Sequence, residues 1–365
     1  MKYKNLYVAA TSQHVGKTTS TLGLVTAFMH QNIKVGYCKP VGQKFVDIQN
    51  LRVDKDAFLF SDVMQFELKP ELHSPVILGQ GVTADYLDHP EAYDFKARIE
   101  RAAEQLQAEH ELVIFEGTGH PGVGHVVNLP NDHVAKMVGA PAVMVVEGGI
   151  GSTIDMLNLC LSRFRKTDVP IIGVIVNKVR PDKMDRVEHY VNQWLTPHNI
   201  PLLGMLPYDT SMVQPLLKTV TEAVNGVVIY NEDALYNRVR QILAGSLITP
   251  DEMRGDDMLL VVSTMRVDTA LEQIRQLSHD MEREGSPLCG IIATGQGSIS
   301  SASINYIRKH NIPLIRTALD TYGTVLKISR IEVKINQRTP WKVQRAIEMI
   351  QANINLDLLL ERLQL

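Results

Sequence analysis

The sequence predicts an α/β protein in which a larger, mostly parallel sheet with helices on both faces is followed by a smaller α/β domain. From Asn5 to about Asp209, short β-branched runs alternate with longer amphipathic segments, which is typical of a parallel sheet covered by helices. A second, shorter alternation follows the turn dipeptide Asn225-Gly226. We therefore predict a first domain at 1–212, a linker at 213–225, a second domain at 226–353 and an amphipathic tail helix at 354–365.

The strands predicted for the first domain are apolar on both sides, as fully buried parallel strands should be. They are Leu6–Ala10, Lys34–Cys38, Leu112–Phe115, Ala142–Val146, Ile171–Val176 and Leu202–Leu206. The helices predicted between and after them are Lys17–Gln31, Asp94–Ala108, Asp132–Val138, Thr153–Phe164, Met184–Leu195 and Met212–Ala223. For the second domain we predict strands Val227–Ile229, Met258–Val262 and Gly290–Ala293, with helices Val267–Glu284, Ser301–His310 and Thr339–Asn353.

Composition excludes several classes of protein. With 37 Lys+Arg against 40 Asp+Glu the formal net charge is −3, so no overall attraction to nucleic acid or to an anionic membrane is expected. The three cysteines are far apart and odd in number, which predicts reduced thiols rather than a disulfide framework. No signal peptide and no membrane-spanning run is recognisable. We expect a cytoplasmic protein without nucleic-acid or membrane partners.

A phosphate-binding loop follows the first predicted strand. Residues 10–18 read Ala-Thr-Ser-Gln-His-Val-Gly-Lys-Thr, which is a Walker A loop except that Thr11 replaces the first glycine. In such a loop, backbone N–H groups at the helix N-terminus hold the phosphates, the lysine neutralises the β and γ oxygens, and the threonine hydroxyl reaches Mg²⁺. The sequence therefore predicts a nucleotide site formed by Gln13, His14, Val15, Gly16, Lys17, Thr18 and Thr19.

This loop resembles that of dethiobiotin synthetase, which also carries Thr before the variable stretch and Val before Gly-Lys-Thr. Further short motifs extend the resemblance over about 200 residues in matching order: Lys39-Pro40-Val41, Lys55-Asp56-Ala57, His73-Ser74-Pro75 and Glu116-Gly117-Thr118-Gly119. The resemblance implies a P-loop ATPase domain, with Lys17 and Lys39 acting on the transferred phosphoryl group. It also implies that Thr18, Asp56 and Glu116 hold Mg²⁺, and that Ser74-Pro75 lies beside the substrate. An acidic residue ending a buried strand opposite a P-loop is, in its own right, the Walker B arrangement.

The resemblance also implies that Asn177 and Pro207 hold the adenine. Asn177-Lys178-Val179-Arg180 begins like the guanine-reading motif of GTPases, but Arg180 stands where that motif has a carboxylate to accept the N–H groups of guanine. We therefore expect ATP rather than GTP.

The loop after Glu116 departs from dethiobiotin synthetase. Residues 117–125 read Gly-Thr-Gly-His-Pro-Gly-Val-Gly-His, where the synthetases carry bulkier residues, so diaminopelargonic acid need not be the substrate. His120 and His125 are open to three interpretations: lining of a substrate pocket, solvated loop histidines, or metal ligands that lack a recognisable third partner. His14 is either an exposed loop residue or a contact to a phosphate or acceptor.

The second domain resembles the DRTGG domain, which also follows a dethiobiotin synthetase-like domain in long phosphate acetyltransferases. The residues that carry this resemblance are 242–245, 248–250, 290–297, 311–315 and 320–322. The Arg and the paired glycines that give the domain its name are altered here, at Gly255-Asp256-Asp257 and Thr294-Gly295-Gln296-Gly297. The Gly/Ser loop 294–303 is either an anion-binding loop or a plain turn with serine as helix N-cap.

Two hypotheses on function follow. In the first, an enzyme transfers the γ-phosphoryl group of ATP to a carboxylate- or carbamate-type small molecule. In the second, a regulatory protein senses ATP and passes the signal to an effector or partner through the DRTGG-like domain. Because long phosphate acetyltransferases continue into a further catalytic domain, we do not expect acetyl transfer to phosphate from these residues. The resemblance implies a homodimer or a higher homo-oligomer, and we expect the tail helix to pack on its own domain or on a sister subunit.

Overall fold

The computed structural model describes residues 3–48, 51–253, 255–331 and 333–364, so the predicted limits Met1 and Leu365 lie outside the described residues. The chain divides into two compact units. The first comprises Met1–Asp209 together with Ile335–Leu365, and the second comprises Thr210–Lys334. In chain order the second unit is thus an insertion into the first, which differs from the predicted succession of domains.

A six-stranded parallel sheet forms the centre of the first unit, in the order β10-β9-β8-β1-β7-β2. Its strands are β1 (Asn5–Ala10), β2 (Val35–Cys38), β7 (Leu112–Glu116), β8 (Ala142–Glu147), β9 (Ile171–Val179) and β10 (Leu202–Pro207). All six residues of β1 are buried, as expected for a strand covered on both faces. The predicted α/β class and the mostly parallel sheet are confirmed.

Helices cover both faces of this sheet. The helices are α1 (Lys17–His30), α5 (Phe95–Glu109), α6 (Asn131–Met137), α7 (Gly151–Lys166), α8 (Met184–Leu195), α13 (Pro340–Asn353) and α14 (Leu356–Leu363). Tyr7 and Ala9 of β1 share a core with α5, α6, α7 and α8, whereas α1 packs on the opposite face. The α1, α5 and α8 bounds lie within a residue of the prediction, because the Gly-Lys-Thr loop marks the start of α1 and the apolar periodicity of α5 and α8 is clear.

The segment between β2 and α5 was not predicted. It contains β3 (Val41–Gly42), β4 (Phe45–Ile48), β5 (Leu51–Asp54), α2 (Lys55–Met64), α3 (Pro70–His73), β6 (Val76–Ile77) and α4 (Val82–Asp88). Strands β4 and β5 pair in antiparallel fashion, and β3 pairs with β6 in parallel. These elements are short and partly exposed, so they carry little of the periodicity on which a prediction depends.

The helix predicted at Thr339–Asn353 belongs to the first unit and not to the second domain. As α13 it packs on α1, where Gly23 faces Ile350 and Ala346 with no room for a side chain. The tail helix α14 buries Leu359 and Leu363 completely. Its neighbours are β9 and β10 of the first unit. The tail was expected to pack on its own domain or on a sister subunit, and in the structure it packs on its own chain.

The second unit is a five-stranded sheet in the order β11-β15-β14-β13-β12, parallel except for β11. Its elements are α9 (Leu217–Ala223), β11 (Val227–Tyr230), β12 (Gln241–Ala244), β13 (Met258–Ser263), α10 (Val267–Asp280), β14 (Leu288–Thr294), α11 (Ser301–Lys309), β15 (Leu314–Thr317) and α12 (Thr321–Ser329). The predicted helix Met212–Ala223 is observed as α9, whose Leu217 and Val220 are buried in the core of this unit, so the predicted linker 213–225 belongs to the second unit. None of the described helices in either unit is long and apolar enough to cross a membrane.

Candidate active site

The loop between β1 and α1 has the geometry expected of a phosphate-binding loop. Gly16 caps α1 with φ 95° and ψ 28°, and a side chain there would meet the amide of Asn177 at 2.0 Å. The position thus requires glycine for both its backbone angles and its close approach. Val15 is buried, while Gln13 and His14 are exposed and His14 also has a positive φ of 62°. Lys17, Thr18 and Thr19 form the first turn of α1 and are half-buried.

The structure brings Lys39, Asp56 and Glu116 together beside this loop. The Nζ of Lys39 lies 2.8 Å from Asp56 Oδ2 and 2.8 Å from Glu116 Oε1. Thr18 donates its hydroxyl to the same Glu116 oxygen at 2.9 Å. Although burial favours the neutral amine, the two carboxylates raise the pKa of Lys39, so the lysine is protonated. Residues from β7, α1, α2 and the end of β2 therefore form one charged cluster, which we call the Lys39 cluster (Thr18, Lys39, Asp56 and Glu116).

Two residues of this region were missed from the sequence. Asp54 accepts the Asp56 backbone N–H at 2.8 Å as the N-cap of α2, and burial raises the pKa of its carboxyl to about 7. Tyr37 donates its hydroxyl to Glu116 Oε2 at 3.4 Å and stacks on Phe60 at 3.7 Å between ring centroids. Asp54 stands two residues before the aspartate of the motif and could have been proposed as a helix cap. Nothing in the sequence marks Tyr37 as different from a core tyrosine.

The loop after Glu116 is held in place by Asn131. Its side chain accepts hydrogen bonds from Tyr7 Oη (2.7 Å) and Thr118 N (2.9 Å), and donates to the carbonyls of Thr118 (2.9 Å) and His120 (2.7 Å). This buried amide fixes residues 118–120, and the Gly119 carbonyl there accepts a hydrogen bond from Lys17 Nζ at 3.1 Å. The sequence gives no sign of this role for Asn131, because its partners lie up to 124 residues away in the chain.

Asn177 and Pro207 lie at the carboxyl ends of β9 and β10, on the same side of the sheet as the loop. Asn177 donates its side-chain amide N–H to the carbonyl of Val15 at 2.7 Å, so this side chain helps to hold the phosphate-binding loop in place. Their contact with adenine stays a prediction. Ser74, expected beside a substrate, is buried, and its Oγ accepts the backbone N–H of Asp54 at 3.3 Å.

The loop histidines His120 and His125 are exposed, and His120 Nδ1 accepts the Gly122 N–H at 3.2 Å. Over the described ranges, no group of three or more His, Cys, Asp or Glu side chains is arranged to hold a metal ion. In the second unit, the carboxylate of Asp268 accepts hydrogen bonds from Ser300 N (3.2 Å) and Ser300 Oγ (2.8 Å). The hydroxyl oxygen of Ser300 also accepts the backbone N–H of Ser303 and so caps α11. The Gly/Ser loop is therefore a capped turn, and the start of its helix faces the carboxylate of Asp268.

The donors of the Lys39 cluster fit a magnesium ion. They are a threonine hydroxyl and two carboxylates, and hard oxygen donors are those that Mg²⁺ prefers in proteins. Each of these oxygens is within hydrogen-bond distance of another member of the cluster. Bringing in a cation would therefore require the ammonium of Lys39 to move from between the two carboxylates.

A parallel sheet whose first strand runs through a Gly-Lys-Thr loop into a helix, with a buried acidic residue ending the adjacent strand, defines a P-loop NTPase-type domain. The comparisons agree. Residues 4–215 match the AAA_26 family model, described as an AAA domain, and since this is more than half of the chain, the protein belongs to that family. Residues 219–331 match the DRTGG domain.

Among curated proteins, the phosphate acetyltransferase of Synechocystis sp. is 21% identical over 99% of this chain, which corresponds to 52% of its own length. The ATP-dependent dethiobiotin synthetase BioD of Thermodesulfovibrio yellowstonii is 26% identical over 56% of this chain and 89% of its own. The chain thus spans about half the length of the phosphate acetyltransferases that it matches. The predicted resemblance to both proteins is confirmed.

Solved structures that align with part of this chain include the MinC:MinD complex of Aquifex aeolicus, with a TM-score of 0.38, 16% identity and coverage of 57% of this chain and 84% of that one. The signal recognition particle 54 kDa protein of Aeropyrum pernix has a TM-score of 0.37, 17% identity and coverage of 56% of this chain and 41% of that one.

Proposed function

We propose that this protein binds Mg²⁺-ATP and transfers the γ-phosphoryl group to a carboxylate- or carbamate-type small molecule. The observation that carries the proposal is the Lys39 cluster, which joins the hydroxyl of Thr18, one lysine and two carboxylates at the phosphate-binding loop. A scaffold without nucleotide chemistry has no need to bury the charges of Lys39 and Glu116 together, because their desolvation is costly.

In the proposed reaction, an acceptor oxygen forms a bond to the γ-phosphorus as the bond to the β–γ bridging oxygen breaks and ADP leaves. The magnesium ion, when bound, would neutralise the phosphate oxygens. Thr18, Asp56 and Glu116 would hold it, and Lys17 and Lys39 would stabilise the charge of the transferring group. Lys17 is already beside the loop that Asn131 fixes, since it donates to Gly119 O. Catalysis would consist mainly of positioning and electrostatic stabilisation.

A regulatory function is the second candidate. It is supported by the match of nearly the whole chain, including the DRTGG domain, to about half of a phosphate acetyltransferase. In that case ATP binds at the same loop, and the second unit engages an effector or a partner protein.

Titration calorimetry of Mg²⁺-ATP into the wild type, Lys17→Ala and the exposed-lysine control Lys166→Ala tests the nucleotide site. We expect binding to the wild type and to Lys166→Ala, and none to Lys17→Ala. Equal binding to all three variants would contradict the proposed site. If the site binds ATP, the release of ADP is then measured in the presence of a series of carboxylate and amine metabolites. A metabolite that stimulates ADP release by the wild type but not by Lys39→Ala supports the enzyme over the regulatory protein.

We further propose a homodimer, from the resemblance to dethiobiotin synthetase. It is supported by the exposed Leu159 and Met156 on α7, since apolar side chains in one surface patch favour association. The tail helix offers no support, because its apolar face is buried in its own unit. A cytoplasmic location is proposed as well, and it is supported by three free, buried cysteines.

A further inference from the structure

A cavity of about 510 Å³ lies at the amino end of β2, in the first unit. Val35 and Gly36 line it, whereas the phosphate-binding loop and Lys39 follow the carboxyl ends of β1 and β2. Because β1, β7 and β2 are parallel, the cavity and the nucleotide site lie at opposite edges of the sheet. The volume is that of a small-molecule site, and most of the wall is apolar, formed by Met29, Ile33, Met64, Phe66, Leu72 and Leu106.

Among the polar side chains that line this cavity, which include Asn32 and His110, His73 is only 7% exposed. Its Nδ1 lies 3.0 Å from the backbone N–H of Lys69, and its ring stacks on Phe66 at 4.2 Å between centroids. The Lys69 carbonyl, 3.1 Å from the same Nδ1, already accepts the backbone N–H groups of Leu72 and His73. Nδ1 is therefore the acceptor for Lys69 N–H, and the ring proton is carried by Nε2.

His73 thus presents one N–H donor and no charge. Burial lowers the pKa of the imidazole to about 4, so the ring is neutral at pH 7. In the part of the chain that the structure describes, no group accepts a hydrogen bond from Nε2. Nε2 is open to solvent in the cavity, and the acceptor atom of a bound ligand would replace water as its partner.

The charged residues around the cavity do not favour an ion of either sign. Lys34 and Lys69 are balanced by Glu67 and Glu109, and Lys69 pairs with Glu67 at 3.5 Å. We propose that this cavity, which we call the β2 cavity, binds a small, uncharged, mainly apolar molecule with a carbonyl-type oxygen that accepts the N–H of His73. The wall packs the apolar part of the ligand, and His73 fixes its orientation.

Two contacts connect the β2 cavity to the Lys39 cluster. Tyr37 lines the cavity and donates its hydroxyl to Glu116. The carbonyl of His73 accepts the backbone N–H of Lys39 at 2.8 Å. A ligand in the cavity therefore touches two residues bonded to the cluster and acts as an effector of Mg²⁺-ATP affinity. This effector role rests on the proposed function, whereas binding in the cavity does not.

Saturation-transfer NMR with two neutral probes tests the site on the full chain. Acetophenone carries a ketone acceptor, and ethylbenzene has nearly the same shape without one. We expect the wild type to bind acetophenone at concentrations up to about 10 mM, and to bind it about fivefold more tightly than ethylbenzene. His73→Phe keeps the aromatic stack and should abolish this preference, whereas His133→Phe, on α6 and away from the cavity, should retain it.

Met64→Trp gives a second test that leaves the histidine in place. Met64 lines the cavity at the end of α2, and a tryptophan there should block both probes. Failure of the wild type to bind either probe, or unchanged binding in Met64→Trp, overturns the proposed site. A preference for acetophenone that survives in His73→Phe overturns the role of the histidine.

The effector role is tested separately by titrating Mg²⁺-ATP with and without saturating acetophenone. A change in Kd supports it, and an unchanged Kd overturns it. Loss of all ATP binding in the presence of normal probe binding contradicts the proposed function and leaves the β2 cavity intact.

Discussion

Replacing Lys39 by methionine is the sharpest test of the Lys39 cluster. The lysine is 4% exposed and its ammonium is 2.8 Å from each of two carboxylates. Methionine retains most of the apolar volume, so the main effect is to leave Glu116 fully buried without its counter-charge. Removing one partner of a buried ion pair costs about 3–5 kcal/mol. Because the Asp56 side chain is 20% exposed and can be hydrated, we expect the lower value, about 3 kcal/mol.

Urea unfolding followed by tryptophan fluorescence measures this loss. Both tryptophans of the chain, Trp194 and Trp341, are in the first unit, so their emission reports on the unit that contains the cluster. A loss of about 3 kcal/mol in a unit of this size lowers Tm by about 6–12 °C. Lys55→Met, an exposed lysine at the start of α2, is the matched control and should leave stability within about 0.5 kcal/mol of wild type.

The response to Mg²⁺ should further distinguish Lys39→Met from the wild type. In Lys39→Met a cation can take the place of the ammonium between the carboxylates of Asp56 and Glu116, so millimolar Mg²⁺ should raise the stability of this variant while leaving wild type unchanged. A Lys39→Met variant that unfolds like wild type would show that the ion pairs contribute nothing. Equal losses in the Lys39 and Lys55 variants would show that the effect is not specific to the cluster.

Three other predictions use the same unfolding assay. Asn131→Ala leaves the Tyr7 hydroxyl and the backbone of 118–120 without partners, so we expect a loss of at least about 2 kcal/mol and faster amide exchange at Thr118; unchanged exchange would contradict this. The pKa of His73 is lowered to about 4 in the folded protein, so between about pH 4 and 6.5 the unfolded chain binds a proton at this residue that the folded protein does not. Over that range the stability of the wild type should therefore rise with pH by up to about 3 kcal/mol more than that of His73→Phe. Parallel plots of stability against pH for the two proteins would refute this prediction. In Gly23→Ala the new methyl would lie 2.2 Å from Ile350 Cγ1, so we expect a loss above about 1 kcal/mol, against no loss in Gly151→Ala, which has open space; equal stability of the two variants would disprove the close packing.

The first unit could be predicted well where structure is determined locally. The start of α1 at Lys17 is specified by the Gly-Lys-Thr loop, and β1 and β7 by buried apolar runs. That Lys39 and Glu116 would meet follows from parallel strands, because both residues lie at the carboxyl ends of neighbouring strands. The identity of their partners came from the resemblance to dethiobiotin synthetase and not from periodicity.

The parts that could not be predicted depend on contacts between distant residues. Asn131 looks like any first residue of a short helix, and only the fold shows that it reaches Tyr7 and the loop at 118–120. Tyr37 likewise has the sequence context of a core residue in an edge strand, yet its hydroxyl bonds to Glu116. Hydrogen bonds of this kind leave no periodic signal, so a single sequence cannot reveal them.

The return of the chain to the first unit explains the wrong C-terminal boundary. The sequence of an amphipathic helix such as α13 indicates that the helix has an apolar face, but it does not indicate which domain covers that face. Its partners are two glycines of the first unit: Gly23 admits Ile350, and Gly204, with φ 153°, would place a side chain 2.0 Å from the carbonyl of Asn353. Beside Gly204, Ile354 pairs with the outer edge of β10, and Asn355 N donates to Leu203 O at 2.7 Å. Residues 340–363, which form α13 and α14, therefore complete the sheet edge and cover α1, although the AAA domain match ends at 215. A P-loop unit cut at 209 would expose both surfaces, and so any test of nucleotide binding has to retain the C-terminal segment.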